Sequence, residues 1–240
     1  MAKAKRSGTA GVIVALIVIL IAVAGTWGIR RHRAERESGA TAAASATASA
    51  IHVDAAHVDP ANEGKVITLH GQLAIGQPAS DRQLGVSSDA VALYRIVMMR
   101  QWLETCPAGG PCRYEEVWSD QPIQSAKFKE PAGHQNPQKM PFRSARFTAR
   151  ELKIGAYRIS AALLASGRKP APYPVTTAKI APNLAATFRD NNGALYSGND
   201  PAHAQVGDLQ VVYRIVPGGE VTVTGVQRGD AVIPAPKDAH

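Results

Sequence analysis

The sequence predicts a mainly β fold, a β-rich α+β extracytoplasmic domain preceded by one transmembrane helix. Three observations carry that reading: a charge-free apolar run at residues 11–29, long β-branched and aromatic stretches between turn residues, and two cysteines bracketing a tight turn. With 240 residues, 45% hydrophobic and 19% charged, the chain can build one folded domain with appendages, which excludes a disordered or collagen-like polymer.

The run "GVIVALIVILIAVAGTWGI" matches the ~20 apolar residues that cross a bilayer as a helix. Lys3, Lys5 and Arg6 precede it, Arg30, Arg31, Arg33 and Arg36 follow, and Trp27 sits where an interfacial anchor sits. Residues 1–10 therefore read as a short basic tail and residues 11–29 as an uncleaved anchor. A cleaved signal peptide competes, because "TAAASATASA" offers small-residue cleavage sites. Against it, the apolar core exceeds the usual ~7–15 residues and arginines separate it from those sites. Basic residues nearly balance across the span, so charge alone does not orient it. Residues 30–51 read as a juxtamembrane helix, "RRHRAERE", followed by an Ala-rich tether that lacks the bulky apolar residues of a core.

The domain is expected over residues 52–234, with 235–240 as a tail. "KVITLHGQL" (65–73) follows the polar turn "NEG" and has the β-branched content of a strand. "AVALYRIVMMRQWLE" (90–104) is apolar on both alternations for part of its length, as a central strand is. "RYEEVW" (113–118) returns antiparallel to it around "PAGGP". Counting outward opposes Cys106 to Cys112, Glu104 to Tyr114, Trp102 to Glu116 and Arg100 to Trp118. Opposed Cβ atoms lie ~4.5–5.5 Å apart, near what a disulfide needs, and a disulfide belongs to an oxidising space outside the cytoplasm. Two reduced cysteines are the alternative; a zinc site lacks a second cysteine pair.

One helix is expected in "ISAALLASG" (159–167), stopped by Gly167. "GRKPAPYPV" (167–175) and "NNGALYSGNDPAH" (191–203) read as surface loops. "DLQVVYRIV" and "EVTVTGVQ" flank "PGG" (217–219) and predict a hairpin by turn chemistry. "LYRIV" (93–97) and "VYRIV" (212–216) are alike, but their surroundings do not align as a repeat.

No nucleophile elbow, P-loop, dinucleotide fingerprint or paired-histidine zinc motif occurs, and no cofactor is implied. The net charge of +8 does not point to nucleic acid: much of the basic surplus flanks the span and the rest is spread singly. Anionic lipid headgroups suit such a domain better. His52, His57, His70, His134, His203 and His240 lack ligand-pair spacing. Glu104, Glu115 and Glu116 lie near Arg100 and Arg113, where cross-strand ion pairs account for them. Trp102, Trp118 and Arg100 share one hairpin face, giving either a cation–π contact of Arg100 on Trp118 or a partner-binding surface. In "AGHQNPQKMP" (132–141), Gly133 and the residues before Pro137 and Pro141 shape a compact loop, with His134 bonding a backbone group and Asn136 closing a side-chain turn.

"DPANEGKVITLHGQL" (59–73), "DRQLGV" (81–86), "YRIVMMRQWLE" (94–104), "YEEVWSDQPIQSAKFKEPAGHQNPQKMP" (114–141) and "GDLQVVYRIVPGGEVTVTGVQRGD" (207–230) together resemble the transmembrane protein 43 (LUMA) family, in order and over nearly the whole domain. The positions that carry the likeness are Asn62, Glu63, Gly64, Gln101, Trp102, Glu104, Trp118, His134, Asn136, Pro137 and Pro141. The resemblance implies a membrane protein whose large domain faces the endoplasmic reticulum lumen or, in bacteria, the extracytoplasmic side. Eukaryotic members are similar to inner-nuclear-membrane scaffolds associated with emerin and lamins, with no established enzymatic activity. This chain departs from the pattern by ending in "IPAPKDAH" where members continue into further spans, and by "VMMRQW" where they carry "VEMYQW". The expectation is a bacterial-type member: a single-pass scaffold or interaction module with an unidentified protein partner. The alternatives are an envelope lipid- or glycan-acting hydrolase using His134 with Glu104 or Glu116, and an anionic-lipid-binding module.

Overall fold

The computed structural model describes residues 50–165 and 168–235. The expected span, the juxtamembrane helix, all of the tether but its end, Gly167 and the last residues of the tail lie outside the described residues. Among those described, no helix is long and apolar enough to cross a membrane.

In chain order the strands of the first half are β1 (Ile51–His52), β2 (Val66–Gln77), β3 (Ala79–Asp81), β4 (Val86–Ser88), β5 (Ala90–Thr105), β6 (Arg113–Ser119), β7 (Ala145–Thr148) and β8 (Arg150–Ile154). Then come β9 (Tyr157–Ile159), helix α1 (Ala161–Ala165), β10 (Ala171–Tyr173), helix α2 (Pro182–Ala185), β11 (Arg189–Asn191), β12 (Ala194–Tyr196), β13 (Leu209–Pro217), β14 (Gly219–Arg228) and β15 (Ala231–Ile233).

Alternation along β2 turns Ile67, Leu69 and Leu73 inward while His70 and Gln72 stay exposed. Facing them, β14 buries Val221 and Val223, β8 Leu152 and Ile154, β9 Tyr157 and Ile159, and β15 Val232. These strands close on themselves: β2 pairs with β14, β14 with β15, β15 in parallel with β9, β9 with β8, and β8 returns to β2. A closed barrel removes the free strand edges an open sheet would leave. β1 lies parallel to the start of β2.

The second sheet, of seven strands, is organised on β5. β5 is buried on both alternations from Ala90 to Leu93, the expected central strand, and half-buried beyond. It pairs with β13 on one edge and with β7 and then β6 on the other, while β12 and β10 flank β13. The two look-alike segments are antiparallel partners, with Tyr94 opposite Arg214 and Arg95 opposite Tyr213. Buried residues of both sheets form one core cluster.

Four expectations are corrected. β13 and β14 do not form a hairpin, because each completes a different sheet: β13 adds to β5 and β14 closes the barrel. The chain changes sheets at Gly218, with Gly219 at a φ of 86°, a corner conformation suited to glycine. Residues 191–203 are not simply a surface loop, since Ala194, Leu195 and Tyr196 are 4%, 0% and 1% exposed in β12. An Asn192-Gly193 turn with both φ positive joins β11 to β12, the mirror-image turn that hairpins favour. Residues 167–175, likewise expected as loop, carry β10 on the edge of β13. The expected helix starts at Ala161 rather than Ile159, because Ile159 is taken by β9 against β15.

One buried polar cluster fastens the β3–β4 hairpin to the large sheet. Arg95 Nη1 donates to Asp81 Oδ2 at 2.7 Å, and the Tyr213 hydroxyl donates to the same oxygen at 2.7 Å. The other Asp81 oxygen accepts the Gln83 and Leu84 N–H groups, and Arg95 Nη2 donates to Gln83 Oε1 at 2.9 Å. Burial and the donated bond together raise the Tyr213 hydroxyl's pKa well above its ordinary value.

Candidate functional site

The β5–β6 hairpin adopts the register that outward counting predicts: Arg100 opposes Trp118, Trp102 opposes Glu116 and Glu104 opposes Tyr114. At its tip Cys106 and Cys112 are joined by a disulfide. Their sulfurs and Glu104 are close enough to suggest metal ligands, but disulfide sulfurs offer no thiolate.

The segment between β6 and β7 folds back over this hairpin and is pinned there by side-chain amides. Gln101, fully buried, donates from Nε2 to the Gln121 carbonyl at 2.9 Å and accepts the Ile123 N–H on Oε1 at 2.8 Å. Asn136 accepts the Trp102 N–H on Oδ1 at 2.7 Å and donates from Nδ2 to the Trp102 carbonyl at 2.9 Å. Its Nδ2 also reaches the Ile123 carbonyl, and its own N–H donates to Ser125 Oγ. Pro137 packs against Gly207, whose φ is 100°. Met140 enters the core at 6% exposure, whereas Pro141 is exposed.

Aromatic rings complete the clamp. His134 stacks on Tyr114 with centroids 3.9 Å apart and meets Trp102 edge-on at 4.8 Å. Its Nδ1 pairs with the Glu130 carbonyl at 3.1 Å. Glu104 Oε1 accepts the Tyr114 hydroxyl and the Lys129 N–H, each at 2.6 Å. The Tyr114 hydroxyl holds the Glu104 carboxyl's pKa below its ordinary value, with the Lys129 and Glu130 N–H groups and the Lys129 charge adding to it against some desolvation. Tyr114 is raised, first by desolvation and then by that same bond.

Arg100 does not lie over Trp118. Its Nε donates to Glu116 Oε2 at 3.1 Å, since a carboxylate outcompetes a ring face for a half-buried guanidinium. Trp118 instead meets Tyr196 edge-on at 6.5 Å. Arg100, Trp102 and Trp118 thus share the expected face, but Trp102 is covered by His134 and Trp118 abuts β12. Glu104 and Glu116 are engaged by Tyr114 and Arg100, so the geometry does not couple His134 to either carboxylate by a hydrogen bond.

Asn62, Glu63 and Gly64 form a second, separate cluster at the barrel. The Gly64 N–H donates to the Gln227 carbonyl at 3.0 Å, and Glu63 Oε2 accepts the Gly229 N–H at 2.7 Å. Gly64 has a φ of 75°, and Gln227 Nε2 donates back to the Asp59 carbonyl at 2.8 Å. This turn ties the start of β2 to the end of β14. Sequence reading missed the Asp81–Arg95–Tyr213 cluster, although "DRQLGV" contained its acid and the paired "YRIV" segments its base and phenol.

These features define a β-rich domain in which a closed barrel and a larger sheet share one core and a polar loop is clamped onto a disulfide-tipped hairpin. Residues 110–239 match the family TMEM43, transmembrane protein 43. The chain belongs to the transmembrane protein 43 family. Similar proteins include transmembrane protein 43 of Rattus norvegicus, 30% identical over 206 residues that cover 77% of this chain and 51% of that protein. The Homo sapiens protein is 29% identical over 217 residues, covering 81% and 54%. The Drosophila melanogaster homolog is 27% identical over 187 residues, covering 72% and 49%. The chain spans about half the length of the curated relatives it matches. No solved structure matches it.

Proposed function

We propose that this chain is a membrane-anchored, non-enzymatic interaction module of the transmembrane protein 43 type, with its β-rich domain on the extracytoplasmic side. The observation that carries the non-enzymatic reading is the environment of His134. Its ring is held between Tyr114 and Trp102 and its Nδ1 on a backbone carbonyl, so the most chemically suggestive residue of the signature loop acts as a strut. The Cys106–Cys112 disulfide supports an oxidising compartment, and the apolar run at 11–29 with its basic flanks supports the anchor. A recess of about 750 Å³ beside the clamped loop, lined by Pro122, Ile123, Pro131 and Pro137, supports a role in protein contact.

The test is membrane fractionation of cells expressing the full chain, followed by protease treatment from the outer face. The expected result is carbonate-resistant membrane retention and digestion of the domain in spheroplasts, with both cysteines refractory to alkylation until reduced. A domain protected from external protease, carrying alkylatable cysteines, would overturn the assignment.

A further inference from the structure

The end of β2 remote from Ile51 carries a second feature, unrelated to the hairpin clamp. There the chain leaves the barrel for the β3–β4 hairpin at residues 77–79 and returns from the large sheet to the barrel at 148–150, with Gln77 opposite Arg150 and Arg146 opposite Tyr94. A groove of about 750 Å³ opens at this corner, lined among others by Gln77, Arg82, Arg146, Phe147, Thr148 and Arg150. Strand alternation in "RFTAR" leaves Arg146, Thr148 and Arg150 exposed while Ala149 is 3% exposed.

Among the described residues, none of Arg82, Arg146 and Arg150 has a carboxylate partner. Of the acids nearby, Asp81 is paired with Arg95 and Tyr213, and Glu151, which keeps its charge, bonds the neutral Gln77 Nε2 at 2.7 Å instead of a guanidinium. Arg146 is positioned by Tyr94, its Cζ 5.5 Å from the ring centroid. Three guanidiniums around one polar groove repel each other unless an anion joins them. Guanidinium forks match phosphoryl oxygens in geometry, and the groove's volume falls within the range of small-molecule sites.

We propose that this groove binds a phosphoryl group, carried by a soluble phosphate ester or by a phospholipid headgroup. The proposal is independent of the scaffold reading: it concerns another face and holds or fails whatever the hairpin loop contacts.

The test uses the full chain in phosphatidylcholine nanodiscs, titrated calorimetrically with pyrophosphate. The expected result is saturable binding that weakens with salt, with Arg82→Gln and Arg150→Gln each raising Kd about tenfold or more. Arg150→Lys, which keeps charge without the fork, is expected to bind more weakly than the unsubstituted chain and more tightly than Arg150→Gln, and unchanged melting confirms intact variants. Repeating the titration with phosphatidic acid in the discs separates the sources. A raised pyrophosphate Kd assigns the groove to headgroups, and an unchanged one assigns it to soluble phosphates. Absence of pyrophosphate binding to the unsubstituted chain, or binding by Arg82→Gln and Arg150→Gln as tight as that of the unsubstituted chain, overturns the proposal.

Discussion

Asn136 stands in for a β-strand beside Trp102. The pairing of β13 with β5 is extended by Gly207 and Asp208 on Arg100 and then stops. The next backbone pair on that edge, the Trp102 N–H and carbonyl, is satisfied by the two ends of the Asn136 amide at 2.7 and 2.9 Å. One side chain thus ends the sheet without leaving its backbone unpaired.

Asn136→Ala removes both partners at once. Each stranded group costs about 1–3 kcal/mol, so a loss of about 2–6 kcal/mol is expected, measured by urea denaturation of the full chain. Asn136→Asp is expected to cost at least as much, since it turns a carboxylate oxygen toward the Trp102 and Ile123 carbonyls. A loss below about 0.5 kcal/mol for both variants would refute the strand-substitute role.

The Asp81 cluster predicts an order of severity. Asp81→Ala leaves Arg95, 5% exposed, without its counter-charge and is expected to destabilise by about 3–5 kcal/mol. Tyr213→Phe removes one of several donors to Asp81 and is expected to cost about 1 kcal/mol. Chemical denaturation of the two variants would contradict this account if Tyr213→Phe were the worse.

Glu104 links the clamp to pH. Its carboxyl titrates below its ordinary value of 4.5 in the folded chain because the Tyr114 hydroxyl and backbone N–H groups favour the charged form. A depressed folded pKa contributes stability that is present above the unfolded value and lost as pH falls through the folded one. Hydrogen exchange at the Lys129 and Glu130 amides should therefore speed up, relative to core amides, as pH drops below about 4. Glu104→Gln is expected to abolish that pH dependence. Retention of it in the variant would assign the effect elsewhere.

The hairpin disulfide closes a loop of sequence separation 6, so its effect on unfolded-chain entropy is modest. Reduction, or the double substitution Cys106→Ser/Cys112→Ser, is expected to lower stability by about 2 kcal/mol while leaving the fold intact. Loss of cooperative unfolding on reduction would show that the tip carries more of the domain than its loop length allows.

Gly155, between β8 and β9, has a φ of 57°, and a Cβ there would collide with the Ala55 carbonyl oxygen. That oxygen accepts the Ala156 N–H at 2.8 Å. Gly155→Ala is expected to cost about 3 kcal/mol or more, because strain and collision act together. Thermal melting of the variant near that of the unsubstituted chain would contradict the tight approach.

Much of the hairpin site was legible in the linear sequence. The alternation of 90–104 and 113–118 around a turn-forming loop determines which residues oppose one another, so the register and the cysteine pair followed by counting. The role of Asn136 did not, because its partner Trp102 lies 34 residues away and an Asn-Pro step reads locally as a turn. Arg146, Thr148 and Arg150 carried a period-two signal that a search for catalytic motifs passes over. Arg82, from another segment, had no local mark at all. The buried state of β12 was hidden for a different reason: a short strand among turn residues has too few positions to show a period.

By itself the sequence determined the β-rich class, the hairpin register that sets Cys106 opposite Cys112, and the family resemblance, all of which depend on neighbours a few residues apart or on motifs in order. Only the tertiary structure decided that β13 and β14 part at Gly218 to serve two different sheets, that Arg100 turns to Glu116, and that His134 is a strut between two rings. Those outcomes depend on which distant surfaces compete for the same strand edge or the same charge. Such competition is settled by packing across the whole domain rather than by local pattern.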